Sequence, residues 1–287
     1  MRQAGEFLLL IGLLAGVWWT VRTSEPLGAR WVDDNEAVLR RILNVAPEVG
    51  LEFKETRAAE EPGSILVVLE IVREGERKEF ELPVSQDGRR VHYDARTLDL
   101  GDPFRSIQSD ISLQDVPALG SEGAPLTIVE YSDFTCQYSH QFFETIEPEL
   151  FARYGSRVRL LYKQAPLGEA RPGSEEAAVA AACAFRQGNE EFWAYHARLF
   201  AQASRLGAGN SVLLELAREA ALNLLDFENC LAERLGQADV TRDVEEADRL
   251  GVDATPTFFF NGRPIDGLPT CDYFFHIVEE ELAAARH

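Results

Sequence analysis

The sequence predicts a two-part chain, a small α+β unit over residues 31–97 ahead of an α/β half over residues 125–287. Periodic apolar residues followed by short alternating runs fill the first part, whereas in the second a strand-like run leads straight into a helix at Cys136. Between them Gly101, Pro103, Pro117, Gly120 and Gly123 punctuate residues 98–124, which read as a linker. At 287 residues, 46% of them hydrophobic, the chain can bury two cores.

Asp33 or Asp34 can cap a first helix in which Val38, Leu39, Ile42 and Leu43 recur at helical spacing and which Pro47 stops. Strand-like runs follow at 51–57, 65–73, 78–84 and 90–93, separated by Pro62-Gly63, Glu74-Gly75 and Asp87-Gly88, so an antiparallel meander is expected. The second half reads as a strand at 126–132, a helix at 136–153 and a strand at 157–163. A helical block at 174–250, a strand hairpin at 257–266 and a last helix from about 271 complete it. No internal repeat is visible.

An uncharged apolar run at 7–19, with Arg2 before it and Arg22 after it, makes residues 1–24 a signal peptide or a membrane anchor. Trp18-Trp19 suits a membrane interface, and the reading leans to an uncleaved tether. Either way the remainder is expected outside the cytoplasm, where disulfides persist. The formal net charge of −20 argues against nucleic acid and anionic lipid surfaces as partners, because no basic stripe exists to release counterions.

Cys136 stands at the end of the strand-like run and the start of a helix, where unpaired backbone N–H groups stabilise a thiolate. The segment Asp133-Phe-Thr-Cys-Gln-Tyr-Ser-His-Gln-Phe142 resembles the D-F-x-C-P-Y-C-x-x-F signature of the DsbA-like branch of the thioredoxin superfamily. In the same order follow Tyr162-Lys-Gln-Ala-Pro-Leu167, an alanine-rich stretch, Phe192-Trp193 with His196, and Gly251-Val-Asp-Ala-Thr-Pro-Thr-Phe-Phe-Phe-Asn-Gly262. The resemblance implies a thioredoxin fold over 125–287 with a helical domain inserted at about 174–250. It also implies thiol–disulfide exchange on cysteine-containing proteins, and no cofactor. Two positions depart from the signature: Gln137 replaces the proline and Ser139 the second cysteine. A single-cysteine oxidoreductase or isomerase is therefore expected, with a thiol-capturing chaperone or a retired interaction domain as alternatives.

The resemblance assigns roles residue by residue. Cys136 is the nucleophile, Thr255 and Pro256 form a cis-proline loop opposite it, and Glu130 is a buried acid beneath the site. Strand alternation puts Glu130 on one face with Leu126 and Ile128, although Lys163 on the next strand could pair with it. Ser139 can donate its hydroxyl to the Cys136 thiolate, and His140, one turn along, can face the same side. No second histidine or cysteine stands at ligand spacing, so no metal is expected. Cys183 and Cys230 fall in the inserted helices and are expected to form a structural disulfide, the alternative being two buried free thiols. Cys271, in the last loop, is a candidate resolving thiol and is expected near Cys136 without being bonded to it. Without Cys271, a small thiol or a redox partner would have to resolve the intermediate. A turn pattern at Ser85-Gln-Asp-Gly-Arg-Arg, with Asp99-Leu-Gly-Asp-Pro103 after it, resembles the N-terminal domains of DsbC-type isomerases and implies a homodimer through the 31–97 unit.

Overall fold

The computed structural model describes residues 27–168 and 171–286. The apolar run at 7–19 lies outside them, and no helix among the described residues is long and apolar enough to cross a membrane.

Helix α1 (Ala29–Leu43) buries Val32, Leu39 and Ile42, and ends where Asn44 turns left-handed. It packs on a five-stranded antiparallel meander in sequential order: β1 (Gly50–Ala58), β2 (Ser64–Arg73), β3 (Glu76–Ser85), β4 (Arg90–Tyr93) and β5 (Arg96–Asp99). The fifth strand is one more than the sequence predicts. It forms because Asp94 and Ala95 both take positive φ, the geometry of a two-residue hairpin, with no glycine there to signal it. One face of the sheet buries Val67, Leu69, Leu82 and Val84. On its exposed side Lys54, Arg57 and Arg77 lie among Glu52, Glu70, Glu79 and Glu81, ion pairs that in water each contribute little.

The second sheet has the order β10-β9-β7-β8-β6. Its strands are β6 (Ala118–Gly120), β7 (Leu126–Ser132), β8 (Val158–Gln164), β9 (Thr257–Phe260) and β10 (Arg263–Asp266), and only β7 and β8 run parallel. Residues 98–124 are more than the linker the sequence predicts: they hold α2 (Arg105–Asp110) and the edge strand β6, whose Ala118 pairs with Leu161. The predicted single helix at 136–153 is broken into α3 (Gln137–Gln141), a π-helical turn (Phe142–Ile146) and α4 (Glu147–Tyr154). Pro148 supplies the reason, since its missing N–H and its ring cannot continue a regular ladder from Glu144.

The insertion comprises α5 (Ser174–Phe185), α6 (Asn189–Ala201), α7 (Asn210–Glu219), α8 (Leu224–Ala232) and α9 (Gln237–Leu250), and α10 (Cys271–Ala284) closes the chain. A disulfide joins Cys183 of α5 to Cys230 of α8 across 47 residues, which on a chain-entropy basis contributes about 4 kcal/mol. Alternation along β7 divides the cores. Leu126 and Ile128 meet Phe142, Leu150, Phe258 and Phe274, while Val129 and Tyr131 join the core that contains Leu39 and Leu69 of the first unit. The two units thus share one apolar cluster. Their polar contacts include Arg41 to Glu281 at 2.8 Å, Arg263 to Asn44 at 3.0 Å, Asn44 to the Pro264 carbonyl at 3.0 Å and Arg96 to the Leu250 carbonyl at 2.6 Å.

Candidate active site

The parallel β7–β8 pair sets Cys136 at the carboxyl end of β7 as the N-cap of α3, the position at which open α/β sheets hold their sites. Its approach is clamped by Asp133, whose Oδ1 accepts from the Thr135 N–H (2.6 Å) and Oγ1 (2.7 Å). The other oxygen, Oδ2, accepts from the Leu167 N–H (2.7 Å) and from Ser174 Oγ. Asp133 therefore ties the cysteine loop to the segment entering α5, a role that its place in the motif did not disclose.

Cys136 is only 4% exposed, and its Sγ donates to the Thr255 carbonyl at 3.1 Å. The Thr255–Pro256 peptide is cis. The structure thus brings together Cys136, Thr255 and Pro256, from segments more than a hundred residues apart. Ser139 lies in the same place but acts differently from the expectation. It is fully buried and its Oγ has no hydrogen-bond partner, so it does not bond the Cys136 sulfur, which has turned to Thr255 instead.

Glu130 is 1% exposed on the inner face of β7, and its Oε1 is unpartnered. Burial pushes its pKa well above the usual carboxylate range against the pull of the Ser132 hydroxyl, and the nearby charges of Glu147 and Cys136 add to the rise. The suggested pairing with Lys163 does not occur. Lys163 registers with Tyr131, on the opposite face, and bonds Glu246 of α9. Glu147, to which the sequence pattern assigns no role, has a buried and unpartnered Oε2, and burial pushes its pKa up to about 7. Pro148 is the signal that could have found it, because a proline inside a helical pattern marks a break in phase.

His140 sits on the rim, its Nε2 3.5 Å from Glu144 Oε1. It lines an open groove of about 380 Å³ with Thr135, Cys136, Gln137, Phe200 and Ala203. Cys271 is exposed at the start of α10 and its Sγ lies 3.6 Å from Glu149 Oε2. Glu149 is on the same helical rod as Cys136 but thirteen residues further along, roughly 20 Å at 1.5 Å per residue. A disulfide needs Cα atoms about 4.4–6.8 Å apart, so the expected neighbourhood of the two thiols is corrected. Desolvation and the Glu149 charge push the Cys271 thiol up. Among the described residues no three His, Cys, Asp or Glu side chains are placed to hold a metal ion.

Behind Cys136, Phe134 stacks on Tyr162 at 5.2 Å, and His196 lies among Trp193 (4.7 Å), Phe200 (4.8 Å) and Tyr162 (4.9 Å). Burial holds His196 neutral, pushed down to about 3 from 6.5. Between those two values the unfolded imidazole takes a proton that the folded one refuses, so stability is lost as the pH falls through that window. His196→Phe is expected to leave stability at pH 7 little changed and to gain about 3 kcal/mol at pH 4. Urea unfolding at the two pH values tests this, and an unchanged acid slope would refute it.

A family model described as Thioredoxin matches residues 113–280. Over 167 residues the chain is 37% identical to Na(+)/H(+) antiporter NhaA 3 of Salinispora tropica, covering 58% of this chain and 25% of that protein. The chain thus spans about a quarter of the first curated relatives' length. Disulfide bond formation protein D of Bacillus subtilis is 22% identical over 181 residues, 62% of this chain and 82% of that protein. Among solved structures, oxidised BdbD from Bacillus subtilis superposes with a TM-score of 0.56 at 23% identity, covering 60% of this chain and 95% of that one. Alpha-DsbA1 of Wolbachia pipientis superposes with a TM-score of 0.55 at 20% identity, covering 63% and 97%. These likenesses show the thioredoxin fold with its inserted helices.

Proposed function

The chain belongs to the thioredoxin family, and on that premise we propose that it exchanges thiols and disulfides on cysteine-containing proteins outside the cytoplasm through Cys136 alone. The contact between Cys136 Sγ and the Thr255 carbonyl at the cis-proline loop carries this reading. It sets the sulfur against a backbone edge on which an extended client segment can lie. The name of the Bacillus subtilis relative supports the same chemistry. The antiporter names are not carried over, since the chain matches about a quarter of those proteins.

In the proposed step the Cys136 thiolate attacks a client disulfide and forms a mixed disulfide. Ser139 has no thiol to resolve it, and Cys271 stands too far along the helical rod. Resolution then falls to a client thiol, a small thiol or a redox partner. Where none arrives the mixed disulfide persists, and the protein acts as a thiol-capturing chaperone. Tethering by residues 1–24 belongs to the same proposal, as does pairing of two copies through the first unit, in which β1 is an edge strand among the described residues.

Incubation with a reduced and reoxidising client, followed by non-reducing electrophoresis, tests the assignment. Adducts should form with wild type and with Cys271→Ser, and fall to background with Cys136→Ala. Adducts that survive Cys136→Ala would overturn it.

A further inference from the structure

The helical rod that starts at Cys136 changes phase before Glu147. Thr145 Oγ1 bonds the Gln141 carbonyl at 2.7 Å, and the Glu147 N–H reaches back five residues to the Phe142 carbonyl. The additional residue in this π turn rotates α4 about the helix axis, an irregularity frequent at functional sites. It delivers the Glu147 carboxyl to the buried side of the rod. There Glu147 Oε2, Glu130 Oε1, Ser132 Oγ, Ser139 Oγ and Tyr162 Oη are all buried without hydrogen-bond partners. Each such atom costs stability, and five of them recur on β7, β8 and the rod that starts at Cys136, with Ser132 close enough to Glu130 and Tyr162 to pull the pKa of both down against burial; packing alone does not explain that polar seam.

We propose that Glu147 is the second member of a carboxyl pair that holds and returns the Cys136 proton, acting through Glu130 as a positioning residue; this rests on the exchange reading above. When Cys136 attacks, its S–H bond breaks and the proton passes to the pair, in which burial keeps Glu130 protonated and leaves the Glu147 carboxylate, titrating at about 7, as the member with room for it. The bond from Cys136 to one client sulfur forms as the client disulfide breaks. The leaving client thiolate then takes a proton back from the carboxyl. The electrons stay on the three sulfurs and the proton count closes.

The surroundings suit a pair kept short of charge. The groups acting on Glu130 are Ser132, Glu147 and Cys136, none of them a cation. Tyr162 of β8 faces the seam and burial keeps it protonated, with the charges of Glu130, Asp133 and Cys136 acting on it. His196 of α6, against Tyr162, is neutral. Lys163 lies on the far face with Glu246 and Asp243, and His140 meets Glu144 on the rim. Burial alone brings Glu147 to titrate at about 7, where exchange would operate.

The test is the pH profile of iodoacetamide alkylation at Cys136 in the full chain carrying Cys271→Ser, read by mass spectrometry from pH 5 to 10. With Glu147 present the thiolate forms against a growing like charge, so the profile should spread over two steps. Glu147→Gln should give one step at lower pH and raise the rate near pH 7.5 about three- to tenfold. Glu147→Leu should move it the same way, and Glu147→Asp should keep the wild-type shape. Because Glu147 acts through Glu130, adding Glu147→Gln to Glu130→Gln should change nothing further. A wild-type profile in Glu147→Gln, or an undiminished shift in the Glu130→Gln background, would overturn the proposal. Alkylation needs no disulfide substrate, so its outcome is separate from a failure to exchange with clients.

Discussion

Ser139→Cys is expected to turn the single-cysteine site into a reversible dithiol. Position 139 stands one turn along from Cys136, within the roughly 4.4–6.8 Å Cα range that a disulfide requires. The Ser139 hydroxyl is buried and unpartnered, so replacing it with a thiol forfeits no hydrogen bond. The Cys136 sulfur need only turn from the Thr255 carbonyl toward the rod. In a glutathione redox series, non-reduced mass spectrometry should find a bond between Cys136 and the introduced thiol. Mixed disulfides with a client should then collapse at least about tenfold faster, because the resolving thiol is held at high effective concentration. Cys183 and Cys230 are already bonded, and Cys271 lies far along the rod, so neither confuses the reading. If no such bond forms at any glutathione ratio, the loop has diverged from dithiol geometry and single-cysteine exchange loses its structural basis.

Both the fold and the position of Cys136 could be read from the chain because they rest on local pattern. A strand ending at Ser132, a helix beginning after Cys136 and a proline ahead of three phenylalanines each declare themselves within a few residues. Alternation along β7 sufficed to put Glu130 inside with Leu126 and Ile128. The features that escaped depend on register and phase between segments. Lys163 faces away from Glu130 because a parallel neighbour sets it opposite Tyr131, and nothing local in 157–163 says so. Cys271 comes after the last strand as expected, yet the direction of α10 lays it against Glu149 rather than against the start of α3. Strand β6 is three residues long, too short to show a period, and β5 hangs on a turn without glycine. Glu147 is hidden from a straight 3.6-residue periodicity, which runs through Pro148 without the change of phase.

The sheet face opposite Cys136 leads to a second large expected effect, in Lys163→Met. Lys163 is fully buried; its Nζ bonds Glu246 and lies 3.8 Å from Asp243 Oδ1. Glu246 also accepts from Tyr131 Oη and from the Ser112 N–H at 2.8 Å, and Asp243 from the Gln164 N–H at 3.1 Å. Burial works against the Glu246 charge, but the bonds from Lys163, Tyr131 and Ser112 hold its pKa below the usual range. Burial raises Asp243 to about 6 against the pull of Lys163. Removing the cation leaves buried Glu246 without a cationic partner and Asp243 with only the half-exposed Arg242, 3.7 Å away, at a cost of about 3–5 kcal/mol near pH 8. An acid whose folded pKa is raised binds its proton more tightly when folded, so its contribution to stability falls as the pH rises from about 4 through that folded value. Without Lys163 Asp243 rises further and Glu246 rises from its lowered value, and the deficit relative to wild type should be smallest near pH 5 and widest at pH 8. Urea unfolding at both pH values measures this, and adding Asp243→Asn with Glu246→Gln should recover most of the loss. A deficit under about 1 kcal/mol at pH 8 would show that the cation is not needed there. The effect should also reach the chemistry, because α9 carries both carboxyls and its end runs directly into the loop of Thr255 and Pro256. Loosening α9 should therefore release the Thr255 carbonyl from Cys136 and quicken its alkylation before global unfolding sets in.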